Sequence, residues 1–157
     1  MNLKYQKSKT SIIIPMRSIN EGKTRLSNLL SPNKREKLIK LLFTQLLKKL
    51  KTLKDQCPLI YSDILVITPC EEVEKISKDF HVRVLKEQNL NGLNSAVNKG
   101  ICWSSEKLYD SSLILPGDII DPETEDIKKI LDMGRKARNS MVISVSYTHL
   151  TLPTTGV

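Results

Sequence analysis

At 157 residues the chain has room for one domain, and an apolar content of 39% is enough to bury one core. No apolar run approaches the roughly 18 residues of a membrane span, and Cys57, Cys70 and Cys102 form no C-x-x-C pair, so a membrane protein and a zinc module are both disfavoured. The formal charge of +8 suggests a polyanionic partner, but aromatics at 4% leave few platforms for stacking nucleic-acid bases, so a small phosphorylated ligand fits better than nucleic acid.

In chain order, Met1–Lys9 is polar and expected to fray. Ile12, Ile13 and Ile14 form a β-branched run suited to a strand buried on both faces, and Pro15 ends it by removing a backbone donor. A loop follows with Arg17, Lys23 and Arg25 around Gly22, then an apolar turn of Leu26, Leu29 and Leu30, and the helix-start pair Ser31-Pro32. Leu38, Leu42, Leu46, Leu50 and Leu53 recur every three or four residues, widened by Ile39, Phe43 and Leu47, and predict a helix over 33–53. Its lysines, Lys34, Lys37, Lys40, Lys48, Lys49, Lys51 and Lys54, are read as a solvated face. Asp63–Thr68 is a second buried strand stopped by Pro69, Glu71–Phe80 a short helix, and Val82–Leu85 a third strand, with His81 at the surface or satisfied in the core.

The loop after the third strand feeds a helix from Leu93 to about Ser105, with Ala96, Val97 and Ile101 inward and Trp103 as a partly buried anchor. A fourth strand, Leu113–Leu115, ends in Pro116-Gly117-Asp118. Pro122 with Glu123, Glu125 and Asp126 then opens a helix whose inner face is Ile127, Ile130, Leu131 and Met133, and a fifth strand begins at Met141. Short apolar strands alternating with helices predict an α/β fold: a Rossmann-like, mostly parallel sheet with helices on both faces and right-handed crossovers. The cysteines are read as packing residues, and their odd number without a secretory signal points to reduced thiols in the cytoplasm.

Charge is divided along the chain: residues 1–54 hold 14 Lys or Arg against 2 Asp or Glu, and the remainder holds 11 against 15. The basic half carries the loop at the end of the first strand, and the acidic half carries Asp118 and Asp121. This suits a nucleoside triphosphate held by cations on one side and by a carboxylate-bound metal on the other. Arg17 and Arg25 offer forked donors and Lys23 a point charge, while Gly22 lets the backbone approach a phosphate. Asn94 and Ser95, behind Gly92, can hydrogen-bond a nucleobase; alternatively, Asn91 or Ser95 simply caps the helix. Asp118, just past a buried strand, suits magnesium, and Asp121 before Pro122 suits a helix cap.

From Val145 onward the sequence changes character: Val145–Thr154 has no charge and reads as a direct translation of GTC TCT TAT ACA CAT CTG ACG CTG CCG ACG, which resembles a transposon adapter. Residues 145–157 are therefore expected to be a non-native read-through tail, and His149 is set aside with them.

The run IPMRSINEGKTRLSNLLSPNKREKL resembles the N-terminal signature of the 2-phospho-L-lactate or phosphoenolpyruvate guanylyltransferases of deazaflavin coenzyme synthesis. Pro15, Lys23, Thr24, Arg25, Leu26, Leu30, Ser31 and Arg35 match that pattern, and Arg17 stands where the family has a lysine. Two further blocks follow in order, GLNSAVNKG at Gly92–Gly100 and LILPGDIID at Leu113–Asp121, where Gly117 and the Ile119-Ile120 pair depart from the family's usual A-D-[LI]-P. The resemblance implies a nucleotidyltransferase domain over 1–144, of the nucleotide-diphospho-sugar transferase type and incomplete at its C-terminus. It also implies magnesium-bound GTP attacked at its α-phosphorus by the phosphate of a three-carbon acid. Arg17, Lys23, Arg25 and Asp118 would serve the reaction, Asp118 the metal, and Pro15, Gly22, Gly92, Asn94, Ser95 and Pro116 the nucleotide. With the acceptor half expected in a later part of the family fold, the chain as written should bind GTP weakly and transfer nothing. A related nucleotide-sugar or molybdenum-cofactor nucleotidyltransferase, and a non-catalytic basic binding domain, are the alternatives. A homodimer is allowed by the sequence but not readable from it.

Overall fold

A β-branched triplet fits a pleated strand covered on both faces, and the Ile12–Ile14 run takes that central place. In the computed structural model, which describes residues 8–88 and 92–136, the run lies within β1 (Thr10–Pro15), all of which is buried. The chain continues through a 3-10 turn (Thr24–Leu26), α1 (Pro32–Gln56), β2 (Asp63–Thr68), α2 (Glu71–Asp79), β3 (Arg83–Lys86), α3 (Leu93–Glu106), β4 (Ser111–Ile114) and α4 (Thr124–Lys136). The strands pair in the order β3-β2-β1-β4, all parallel, with Ile12 opposite both Ile64 and Leu113. The α/β architecture read from the sequence is the one observed, and the strand expected at Met141 lies outside the described residues.

Side chains alternate across a strand, so β1 feeds two cores. Ile12 and Ile14 join Phe43, Leu46 and Leu50 of α1, Val73 of α2, and Ile127 and Leu131 of α4. Ile13 joins Leu65, Ile67 and Ala96 on the opposite face, with Trp103 packed against them. There α3 lies so close that a Cβ on Gly100 would stand 2.5 Å from Cγ2 of Ile13. The close approach selects a small-residue stripe, Ala96, Gly100 and Ser104, and it overturns the inward place expected for Ile101, which is exposed. Ser104 is buried with its hydroxyl satisfied, 2.9 Å from that of Ser11 and 2.7 Å from that of Ser112. In α4, Ile127 and Leu131 fill the inner positions and Met133 is exposed, contrary to expectation, because the α4 contact is one narrow i, i+4 seam.

Helix ends explain two residues in the left-handed region. After α2, the N–H of Val82 donates to the Ser77 carbonyl at 2.9 Å and that of His81 to Lys78 at 2.9 Å, with His81 at φ 56°. After α3, Tyr109 donates to Ser104 at 3.1 Å and Leu108 to Ser105 at 3.0 Å, with Leu108 at φ 58°. Both are Schellman closures, which favour glycine at the left-handed position. His81 is therefore an exposed helix terminator.

Three further expectations change. Cys57 and Cys70 pack against the larger core as read, but Cys102 is exposed. Lys49 does not belong to a purely solvated face: its Nζ lies 2.5 Å from Asp121 Oδ1 and 3.0 Å from the Pro122 carbonyl. Asp121 is accordingly no helix cap; it sits at φ 36° and turns its carboxylate to Lys49.

Candidate functional site

Strand order reverses at β1: the chain lays β2 and β3 on one side and returns to place β4 on the other. In such sheets the loops leaving the two central strands diverge above the sheet and open a crevice at their carboxyl ends. β1 leaves through Pro15 and Met16, whose N–H still donates to the Ile67 carbonyl at 2.9 Å. β4 leaves through Leu115, which donates to the Ile13 carbonyl at 3.0 Å, and then turns at Pro116-Gly117-Asp118. The turn rests on the first loop, because a Cβ at Gly117 would fall 2.5 Å from Sδ of Met16. Met16 thus occupies the space that any side chain at position 117 would need.

Across this crevice Lys23 Nζ lies 3.5 Å from Asp118 Oδ2, with the two side chains 21% and 36% exposed. The basic and acidic loops, 95 positions apart in sequence, meet at this pair. Lys23 is held at φ 54° and ψ 38°, a left-handed conformation that costs a lysine about 1–3 kcal/mol and is characteristic of functional loops. Gly22 also packs against α1: a Cβ there would stand 2.6 Å from Cδ1 of Ile39.

The remaining sequence-selected residues are distributed around this centre. Arg17 is exposed and 3.7 Å from Glu21. Arg25 is exposed at the end of the 3-10 turn. Pro15 is buried at the end of β1, and Pro116 is exposed in the turn that follows β4. Gly92 precedes α3 at φ 84°, with nothing within 4 Å of a Cβ, so backbone conformation rather than space calls for glycine. Asn94 is exposed on the first turn of α3, and Ser95 lines a groove beside β3 instead of capping the helix.

One further residue, on the first turn of α1, follows the basic loop. Nε of Arg35 is buried and has no hydrogen-bond partner among the described residues. Arg35 lies one turn before Ile39 on the same face of α1, and Ile39 packs beside Gly22 of the basic loop. An orphan buried donor is costly unless a ligand completes it, and a phosphate oxygen would. The sequence held the signal, since Arg35 closes the motif that begins at Pro15.

Among the described residues no group of three or more His, Cys, Asp or Glu side chains could cage a metal. One carboxylate facing a crevice with cations opposite does fit magnesium, which keeps most of its waters and is carried by substrate phosphates plus one or two carboxylates. Among the described residues no helix is long and apolar enough to cross a membrane.

The family model described as "Guanylyl transferase CofC like" matches residues 10–148. A 2-phospho-L-lactate guanylyltransferase of Methanosphaera stadtmanae is 34% identical over 143 residues, covering 88% of this chain and 58% of its own length. The enzyme of the same name from Methanothermobacter thermautotrophicus is 30% identical over 129 residues, covering 82% and 54%. A 3-phospho-D-glycerate guanylyltransferase of Colwellia psychrerythraea is 30% identical over 127 residues, covering 81% and 58%. The chain thus spans about half the length of the relatives it matches. A crystal structure from Desulfovibrio desulfuricans, described as of nucleotide-diphospho-sugar transferase type, superposes with a TM-score of 0.56 at 17% identity, covering 80% of this chain and 54% of that one, a likeness of fold. With the strand order of its parallel sheet reversing at β1 and the family match over most of its length, the chain belongs to the CofC-like guanylyltransferase family.

Proposed function

We propose that this chain is the nucleotide-binding part of an enzyme that transfers GMP from GTP to the phosphate of a small phosphorylated acid. The acceptor oxygen attacks the α-phosphorus, a new P–O–P bond forms, and the α–β bond breaks to release pyrophosphate. The acceptor is a three-carbon acid: 2-phospho-L-lactate and 3-phospho-D-glycerate are named for the relatives, and phosphoenolpyruvate has the same phosphate and carboxylate. Deazaflavin coenzyme synthesis in the cytoplasm is the setting that the family resemblance implies.

The observation that carries the reading is the Lys23–Asp118 juxtaposition between the loops that leave β1 and β4. Lys23, Arg25 and Arg17 would neutralise phosphate oxygens, and Arg35 would fix one of them by direction. Asp118 would hold magnesium, which supplies charge neutralisation on the phosphates when bound. No covalent enzyme intermediate is needed, because positioning and electrostatics carry phosphoryl chemistry of this kind.

Titration calorimetry with GTP, with and without magnesium, tests the reading. The parent chain should bind GTP more tightly with magnesium, and Asp118→Asn should abolish that difference without changing the circular dichroism spectrum. Equal magnesium dependence in the two proteins would make Asp118 a turn residue only. In a protein of the relatives' full length, pyrophosphate release should require both GTP and one of the phosphorylated acids.

A further inference from the structure

Helix α1 touches the loops that leave both central strands. Toward its start, Ile39 packs on the basic loop, its Cδ1 2.6 Å from where a Cβ of Gly22 would stand. Ten residues later, about 15 Å along the helix at the usual rise, Lys49 reaches the acidic loop. Its Nζ lies 2.5 Å from Asp121 Oδ1 and 3.0 Å from the Pro122 carbonyl. The Lys49 side chain is 29% exposed and that of Asp121 67%, and a pair so open to water adds little stability. Its effect lies in where it holds the chain. Asp121 sits at φ 36°, a left-handed conformation that persists in such a residue only where the surroundings hold it. One ammonium bonded to the Asp121 carboxylate and to the next carbonyl supplies that hold. The helix cannot follow the loop, because Leu46 and Leu50 on either side of Lys49 are buried with Ile127 and Leu131 of α4.

We infer that Lys49 is a positioning residue of the nucleotide site: clamped to Asp121 and Pro122, it sets the loop that presents Asp118 to Lys23. The inference rests on the GTP reading proposed above. The loop has two anchors. At its start Leu115 donates to the Ile13 carbonyl at 3.0 Å, and the Ile119 N–H donates to the Pro116 carbonyl at 3.3 Å, closing a turn around Asp118. At its end stands the Lys49 clamp, with only Ile119 and the exposed Ile120 between Asp118 and Asp121. The backbone of Asp118 is thus held on both sides, and its carboxylate faces Lys23 at 3.5 Å. A loop ordered before a ligand arrives spares the ligand the cost of ordering it. Lys49 acts through the loop and is assigned no contact with phosphate or metal.

The test is calorimetric titration of GTP, with and without magnesium, into the parent chain and into Lys49→Met, Lys49→Arg and Asp121→Asn. Hydrogen exchange at the Ile119 amide is followed in the same proteins without nucleotide. Lys49→Met removes a positive charge and Asp121→Asn a negative one, so an effect of net charge alone would move GTP affinity in opposite directions. Loss of the clamp should move it the same way in both: the magnesium-dependent gain in affinity should shrink by about two- to fivefold, the range set by a partly exposed charge pair. Asparagine tolerates the left-handed backbone, so Asp121→Asn leaves the turn itself allowed. Lys49→Arg keeps a donor for both oxygens and should retain the gain. Ile119 should exchange faster in Lys49→Met and Asp121→Asn than in the parent. Opposite shifts in the two variants, or an unchanged magnesium gain in both, would overturn the inference. A parent whose GTP binding ignores magnesium would overturn the GTP reading instead, and unchanged Ile119 exchange would then overturn the clamp separately.

Discussion

Gly100→Ala should destabilise the chain, although alanine is the better helix former. A Cβ at Gly100 would lie 2.5 Å from Ile13 Cγ2, 3.0 Å from Ile67 Cδ1 and 3.1 Å from Ile13 Cδ1, where ordinary contact begins at 3.4 Å. The helix or the strand must therefore move by nearly 1 Å. Ile13 cannot retreat easily, because β1 is hydrogen-bonded to a parallel strand on each side and the isoleucine is fully buried. Overpacking of this kind costs about 1–3 kcal/mol, and the propensity gain of alanine over glycine returns about 1 kcal/mol. A net loss of up to about 2 kcal/mol is expected, near the upper end because Ile13 is held on both sides. Gly134→Ala supplies the contrast: it lies in α4 with nothing within 4 Å of a Cβ, so it should stabilise by about 0.5–1 kcal/mol. Urea titrations followed by circular dichroism, with unchanged m-values, measure both. If Gly100→Ala is as stable as the parent, the close seating of α3 on β1 is wrong.

Replacing Lys23 and Arg25 together by Ala should weaken triphosphate binding far more than nucleoside binding in a competition assay, and equal losses would assign both side chains a structural role. Leu108→Gly should raise the urea midpoint by the equivalent of about 1 kcal/mol, because Leu108 holds a left-handed position at φ 58° with its side chain 81% exposed; an unchanged midpoint would show that the α3 terminus is unstrained. Burial pushes the Tyr61 hydroxyl up to about 12, and burial with the nearby Asp63 carboxylate does the same for Tyr109. Above pH 10 the unfolded chain would lose these protons first, so stability should fall between pH 10 and 12 and be fully present below that window. Tyr61→Phe should flatten the fall, and an identical alkaline profile would remove Tyr61 as its source.

The sequence by itself determined the strands and helices whose signals are local. The isoleucine run, the leucine stripe of α1 and the DILVIT strand each bury a pattern written in consecutive residues, and Ser31-Pro32 marks the start of α1 because the rules for a first helical turn act over a few positions. The motif residues of the crevice were also legible, since Pro15 through Arg35 form one continuous run. Contacts between distant segments were decided only by tertiary structure. Lys23 meets Asp118, and Lys49 takes Asp121 away from a capping role, because a parallel sheet returns its loops to one end after each crossover. Ile101 turns outward since the approach of α3 to β1 admits only Ala96, Gly100 and Ser104, a steric limit that hydrophobicity cannot express. Glu87 carried no signal in sequence, where it is one acid in a polar loop. Its burial follows from being placed at the end of β3 beneath Lys99, and that placement exists only once the strands are ordered β3-β2-β1-β4.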